Sequence, residues 1–101
     1  MEESKVFNVD LSKVTTHEEL HKTLQAQLEL PDYYGGNLDA LNDCLGDLAA
    51  RGSREEPVSI TFHGYKYMKR SLDGYFYAFR KVVEDAALEH EGLEVHWRRR
   101  A

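Results

Sequence analysis

Three aspartates, Asp39, Asp43 and Asp47, recur at every fourth position of the chain. Residues four apart lie on the same side of an α-helix, so this spacing predicts a row of carboxylates along one helix face. Carboxylate oxygens are ligands for magnesium and calcium, but such sites normally need a loop that folds around the ion. We therefore interpret the row as a solvated or protein-binding face and expect no metal and no cofactor. A metal-dependent phosphohydrolase that uses this row is a less favoured alternative.

The remaining titratable residues give little indication of catalysis. No histidine lies between His21 and His63, so no base or orienting group is close to the aspartates along the chain. Cys44 is interpreted as a small core residue, because the sequence shows no partners that would activate a nucleophilic thiol. His17 and His21 are four residues apart without a third ligand nearby, and we expect both on a helix surface. We expect no catalytic residue.

The stretch FHGYKYMKR, residues 62–70, interleaves aromatic and basic side chains. Such a mixture resembles a surface on which nucleic-acid bases stack. The aromatics continue at helical spacing through Tyr75, Phe76 and Phe79, however, which is typical of core packing. The three arginines at 98–100 are too short a run for a binding arm, and the chain is acidic overall. We therefore expect no nucleic-acid partner.

A loop with two tyrosines and two glycines precedes the acidic row. Exposed tyrosines are enriched at protein interfaces, and glycine lets a partner approach the backbone closely. This loop, Tyr33-Tyr34-Gly35-Gly36-Asn37, therefore predicts a protein-binding segment. A turn with buried tyrosines before an ordinary solvated helix explains the same residues, and the sequence leaves both interpretations open.

The charge of the chain is concentrated around the same segment. The 101 residues include 18 Asp and Glu against 13 Lys and Arg, a formal net charge of -5. Residues 23–50 contain five acidic residues and no lysine or arginine, whereas acids and bases are equal in number elsewhere. The expected counterpart of this loop and helix is a positively charged cleft in another protein.

The hydrophobic pattern predicts a single α/β domain over residues 1–101, in the order β-α-α-β-α-β. Period-two alternation predicts strands at 5–11, 57–63 and 93–98. A capping box of Thr16 and Glu19 opens the first helix, Asn37 caps the second, and the long third helix carries Leu72 and is expected to end at Gly92. Helical connections favour a small three-stranded parallel sheet with the helices packed mainly on one face.

Three features bear on location. No apolar run approaches the roughly 20 residues that span a bilayer. The first ten residues, MEESKVFNVD, lack the apolar segment of a secretory signal. The single cysteine fits a reducing compartment. We expect a cytoplasmic protein with no membrane partner.

The run LPDYYGGNLDALNDCL, residues 30–45, is similar to the signature of the barstar family, the intracellular inhibitors of secreted microbial ribonucleases. The resemblance extends over most of the chain, through the preceding helix and the order of strands and helices. It implies a barstar-like fold and a non-enzymatic inhibitor that fills a ribonuclease active site in a 1:1 heterodimer. A guanyl-specific extracellular ribonuclease is the first expected target.

The same resemblance implies roles for individual residues. The carboxylate of Asp43 takes the place of an RNA phosphate among the enzyme's catalytic Arg, Lys and His side chains. Asp39 is a second acidic contact, and Tyr33 packs against the catalytic histidine. Counting without gaps from residue 57, Asp85 falls at an acidic contact on the last helix, with Glu84 beside it. The implied contact positions of the loop and second helix are Tyr33, Gly35, Asn37, Leu38, Asp39, Asn42 and Asp43.

The chain departs from the family pattern at Asn42, where tryptophan is common. A large aromatic contact is therefore missing immediately before Asp43. The alternative target is a different basic nuclease toxin or another basic protein, for which the chain would act as a binding or immunity module.

Overall fold

The computed structural model describes residues 6–100, which form an α/β fold of three strands and four helices. The strands form one parallel sheet in the order β1-β2-β3, so β2 is central. The predicted fold class is confirmed, and Lys5, the first residue of the predicted first strand, lies outside the described residues. The elements are β1 (Val6–Asp10), α1 (His17–Gln27), α2 (Leu38–Ala49), β2 (Val58–His63), α3 (Tyr65–Leu72), α4 (Gly74–Glu89) and β3 (Leu93–Arg98).

The sheet buries one face, as the alternation predicts. Phe62 of β2 lies near the middle of the core, where its ring meets Phe79 of α4 edge-on at 5.5 Å and stacks on Trp97 of β3 at 4.7 Å between centroids. The residues between the buried ones are exposed or half-buried, so the opposite face remains largely solvated. The buried sheet positions are Phe7, Val9, Val58, Ile60, Phe62 and Leu93, and Leu11 directly after β1 is buried as well.

Both predicted helix caps are present. The Thr16 hydroxyl accepts a hydrogen bond from the Glu19 backbone N–H at 3.0 Å, and Asn37 Oδ1 accepts one from the Ala40 N–H at 2.8 Å. The Glu19 carboxylate reaches back one residue further than the capping-box pattern predicts, to the N–H and hydroxyl of Thr15. These bonds fix the starts of α1 and α2, which flank the tyrosine loop.

The region between β2 and β3 contains two helices, where the sequence predicted one long helix. Leu72 ends α3 and does not belong to α4, because Asp73 between them has φ 52° and breaks the helical path. Phe76 and Phe79 are buried, which confirms their predicted core role, whereas Tyr67 and Tyr77 are about half exposed.

Gly92 is not the helix C-cap that the sequence predicted. The cap is His90, and Gly92 has no positive φ. It is instead a site of close backbone approach, because a Cβ atom on Gly92 would lie 2.2 Å from the Ala49 carbonyl oxygen and 2.9 Å from that of Gly52. The chain leaving α2 therefore crosses the start of β3 at two facing glycines, Gly52 and Gly92.

No helix within residues 6–100 has the length and apolar character needed to cross a membrane.

Candidate protein-binding surface

Helix α2 has two distinct faces. Leu41, Leu45 and Leu48 are buried in the core, and Asp43 and its neighbours on the opposite side are exposed. The predicted acidic row is therefore a solvent-facing row in the structure. The exposed side chains of this face are Asp39, Asn42, Asp43 and Asp47, and Leu38 at its start is half-buried.

Among the described residues, the carboxylates of Asp39 and Asp43 form no ion pair, whereas Asp47 lines a concave region together with Arg51. Ion pairs on other elements join Lys22 to Glu18 on α1 and two further basic residues to carboxylates on α4. The described part of the chain contains no group of three His, Cys, Asp or Glu side chains close enough to hold a metal ion. The row is thus a negative surface without a built cation site.

Cys44 is on the buried side of α2, as the sequence predicts for a core residue. Burial raises the pKa of its thiol, and the carboxylates of Asp47 and Asp43 raise it further. Because the thiolate is the reactive form, this environment keeps Cys44 unreactive near neutral pH.

The two adjacent tyrosines of the loop have opposite environments. Tyr33 is 80% exposed, whereas Tyr34 is 9% exposed and belongs to the core. The interpretation as a buried tyrosine therefore applies to Tyr34, whereas Tyr33 has the exposure that a protein-binding segment needs. Tyr34 anchors the loop to the protein, and Tyr33 is presented to solvent beside the acidic row.

Hydrogen bonds fix the beginning of the loop. The Tyr34 N–H donates to the Pro31 carbonyl at 3.0 Å, and Gln25 Nε2 of α1 donates to the same oxygen at 3.0 Å. The Leu30 N–H also donates to the Gln25 carbonyl at 2.9 Å. The loop is consequently attached to α1 through one residue, Gln25, before it reaches the tyrosines.

His21 is the largest departure from the predicted site. It is 5% exposed, so its prediction as a surface residue is wrong. Its Nδ1 lies 2.5 Å from the Tyr34 hydroxyl and its Nε2 lies 2.7 Å from the Tyr75 hydroxyl of α4. His17, which is exposed as predicted, stacks on Tyr75 with 3.6 Å between ring centroids.

Two concave regions flank the loop. A cleft of about 480 Å³ lies between α1, the loop and Tyr75, and its lining includes His21, Gly35 and Gly36. A smaller one of about 260 Å³ lies on the other side, beside Tyr33 and Asp47. Tyr33 and Asp47 thus line one concavity, and Gly35 and Gly36 line the other.

The two loop glycines have different structural requirements. Gly36 has φ +68°, a conformation that side chains other than glycine rarely adopt. Gly35 has an ordinary φ, and a Cβ atom there would make only a normal contact with Ala40 at 3.5 Å. The fold therefore requires glycine at position 36 but not at position 35.

Comparison with known proteins identifies the relationship. The family described as Barstar (barnase inhibitor) matches residues 4–98 of the chain. The chain belongs to the barstar family. It is also 35% identical over 72 residues to a protein of Bacillus subtilis (strain 168) named "Putative ribonuclease inhibitor YrdF", covering 71% of this chain and 74% of that protein.

Within this barstar-family fold, the two acidic candidates on the last helix point to different sides. Glu84 pairs with Arg80 at 3.2 Å, and the Arg80 guanidinium lies over Trp97 of β3. Glu84 also lines a groove with Trp97, on the β3 side of α4. Asp85 is turned about 100° from Glu84 around the helix and pairs with the exposed Lys81 at 3.1 Å.

Three residues that attach the tyrosine loop to the helices were not predicted from the sequence: His21, Tyr34 as an anchor, and Tyr75. One signal was available for His21, since it follows Leu20 and precedes Leu24 by three residues on the buried stripe of α1. The two tyrosine hydroxyls that contact His21 belong to other elements, so no periodic pattern in α1 indicates them.

Proposed function

We propose that this barstar-family protein inhibits a secreted guanyl-specific-type ribonuclease in a 1:1 heterodimer, by placing α2 and the tyrosine loop in the enzyme's active site. The observation that carries this proposal is the exposed carboxylate row, in which Asp39 and Asp43 form no ion pair among the described residues, beside the exposed Tyr33. A ribonuclease active site is built to bind phosphates, so it offers cations to such a row.

The proposed mechanism is occupation of the site without chemistry. The Asp43 carboxylate replaces an RNA phosphate among the enzyme's cationic side chains, and Asp39 makes a second ionic contact one helical turn earlier. Tyr33 packs on the catalytic histidine and excludes water from the contact. No residue of the inhibitor needs to act as a catalyst, metal ligand or cofactor site.

The remaining contacts come from the start of α2 and from α4. Asn37, the N-cap of α2, and Leu38, its first residue, are also proposed to contact the enzyme. Asp85 is proposed as the contact on α4 in preference to Glu84, whose ion pair with Arg80 directs it towards β3. Asp85 would have to exchange Lys81 for a cation of the enzyme.

The proposed location is the cytoplasm of the producing cell, where the inhibitor would neutralise the enzyme before its export. A second candidate function is immunity towards a different basic nuclease toxin. The exposed Asn42 supports it, since this position next to Asp43 presents an amide where the family commonly has tryptophan.

The proposal is tested with a panel of purified microbial ribonucleases and basic nuclease toxins of other classes. At least one guanyl-specific enzyme should be inhibited at 1:1 stoichiometry, and its association rate should fall about tenfold between low and high salt because exposed charges are screened. Inhibition confined to nuclease toxins of other classes would favour the second candidate. No inhibition of any basic nuclease would contradict both.

Gly35→Ala should weaken ribonuclease binding about tenfold without lowering stability, because its added methyl group faces the partner and meets only ordinary contacts inside the protein. Binding is measured by titration and stability by thermal unfolding. The matched control is Gly46→Ala on α2, where the nearest side-chain atom, on His90, is 3.6 Å away. Equal affinities of the two variants would show that Gly35 does not contact the ribonuclease.

A further inference from the structure

His21 connects α1, the tyrosine loop and α4. It is on α1, one ring nitrogen contacts the hydroxyl of Tyr34 in the loop, and the other contacts the hydroxyl of Tyr75 on α4. The ring is buried, and among the described residues every buried side-chain polar atom has a hydrogen-bond partner. One buried polar residue therefore connects the loop to two helices.

The position of Tyr34 determines the position of the contact residues. It lies between Tyr33 and Gly35 in the chain, so anchoring its ring restrains the backbone of both. The loop is held at its first part by bonds to the Pro31 carbonyl and at its end by the Asn37 cap. The hydroxyl bond to His21 adds an attachment between these two.

The protonation state of His21 determines which hydrogen bonds its ring can make with the two tyrosine hydroxyls. A neutral imidazole has one N–H donor and one acceptor nitrogen, so one tyrosine hydroxyl donates to the ring and the other accepts from it. A protonated ring has two donors, and the hydroxyl that donated before must turn and accept. Protonation also places a positive charge in a buried site, which is costly without an anionic partner.

The groups around the ring offer little compensation for such a charge. Burial lowers the pKa of His21, and repulsion from His17 lowers it further. Burial raises the pKa of Tyr75 and, more strongly, that of Tyr34, so both hydroxyls stay neutral. The titratable and charged groups facing this cluster are His17, Glu18 and Lys22 on α1, Tyr34 in the loop, Cys44 on α2 and Tyr75 on α4.

We infer that His21 is a positioning residue for the ribonuclease-binding loop, and that acid loosens the loop by protonating the His21 ring bonded to Tyr34. The inference rests on the proposed function for its consequence, since a loosened loop binds the enzyme less tightly. Its structural part, the link between His21 and the loop, stands without any partner.

The direction of the pH effect follows from the lowered pKa. In the unfolded chain the imidazole titrates near the reference value of 6.5, whereas the folded protein binds the proton only at lower pH. The stability contributed by neutral His21 is therefore fully present above pH 6.5 and is lost as the pH falls through the folded-state pKa. The loop should change its environment over that lower range.

The first test uses the free protein. NMR spectra between pH 7.5 and 5 should show amide shifts of residues 33–36 that follow the titration of the His21 ring, with a midpoint below 6.5. In His21→Gln, which keeps a donor and an acceptor but does not titrate, these shifts should disappear. In Tyr34→Phe the imidazole should still titrate while the loop amides no longer follow it.

The matched control is His96→Gln, which removes an exposed histidine of β3 and should leave the loop titration unchanged. The inference would be overturned if the loop amides of His21→Gln shifted with pH as much as those of the unchanged protein. Loop shifts of that size in Tyr34→Phe would overturn it as well. The second test measures ribonuclease binding, where the loss of affinity between pH 7.5 and 5.5 should be about fivefold larger in the unchanged protein than in His21→Gln. If no ribonuclease is bound, the proposed function fails, while the NMR titration still decides the role of His21.

Discussion

Asp43→Ala should weaken ribonuclease binding by at least about 2 kcal/mol, or roughly thirtyfold, the range of interface residues that dominate binding energy. The proposed complex surrounds this carboxylate with the cations of a phosphate site and removes it from water. Truncation then leaves those cations without their partner, which costs more than the loss of one surface attraction. Titration calorimetry or surface plasmon resonance against the inhibited enzyme measures the change.

Asp47→Ala is the matched control, because it removes the same charge from the same exposed face one turn further along α2. Its effect on affinity should stay below about threefold. Both substitutions should slow association similarly, since each removes one steering charge, but only Asp43→Ala should accelerate dissociation strongly. Neither should shift the thermal midpoint by more than a degree or two, because both side chains are exposed. Small and equal effects of the two substitutions would contradict the phosphate-mimic role.

The sequence predicted those features that periodicity encodes. The two faces of α2 could be predicted because leucines and aspartates follow different helical rows, and burial depends directly on that spacing. The parallel sheet could be predicted because alternating strands were separated by helices. Both inferences need only the local pattern of apolar and polar residues.

The loop anchor could not be predicted in this way. His21 looks like a surface residue by type, and its burial depends on Tyr34, 13 positions away, and Tyr75, 54 positions away. A polar side chain enters a core only when complementary groups arrive from other elements, and such pairings follow no period. The local pattern likewise could not decide which of Tyr33 and Tyr34 would be exposed, and only the family resemblance singled out Tyr33.

The break at Asp73 was missed for a related reason. The apolar residues on both sides of it fit helical spacing, so the pattern continued across the junction of α3 and α4. Gly74, directly after it, was the available local signal, since glycine weakens a helix interior. Another glycine, Gly92, was expected to end the helix, and that residue lies instead at a close backbone approach.

Gly92→Ala should lower the free energy of unfolding by at least about 3 kcal/mol, because overpacking against backbone cannot be relieved by moving a side chain. The added Cβ atom would lie 2.2 Å from the Ala49 carbonyl oxygen and 2.9 Å from that of Gly52. The Gly92 carbonyl also accepts a hydrogen bond from the Val58 N–H at 2.7 Å, so a shift of this segment disturbs β2 as well. The thermal midpoint should fall by about 12 °C or more.

The size of this loss distinguishes two roles for Gly92. A helix C-cap glycine is needed for its left-handed backbone, and replacing it with alanine costs only about 1 kcal/mol. A glycine at a backbone crossing is needed for space, so its replacement separates α2 from β3 and costs several times as much. Gly74→Ala is the control, because it is the first residue of α4 and nothing lies within 4 Å of its added Cβ atom. That variant should be unchanged or more stable by up to about 1 kcal/mol, and a Gly92→Ala protein that melted within a few degrees of it would show that the crossing has room for a side chain.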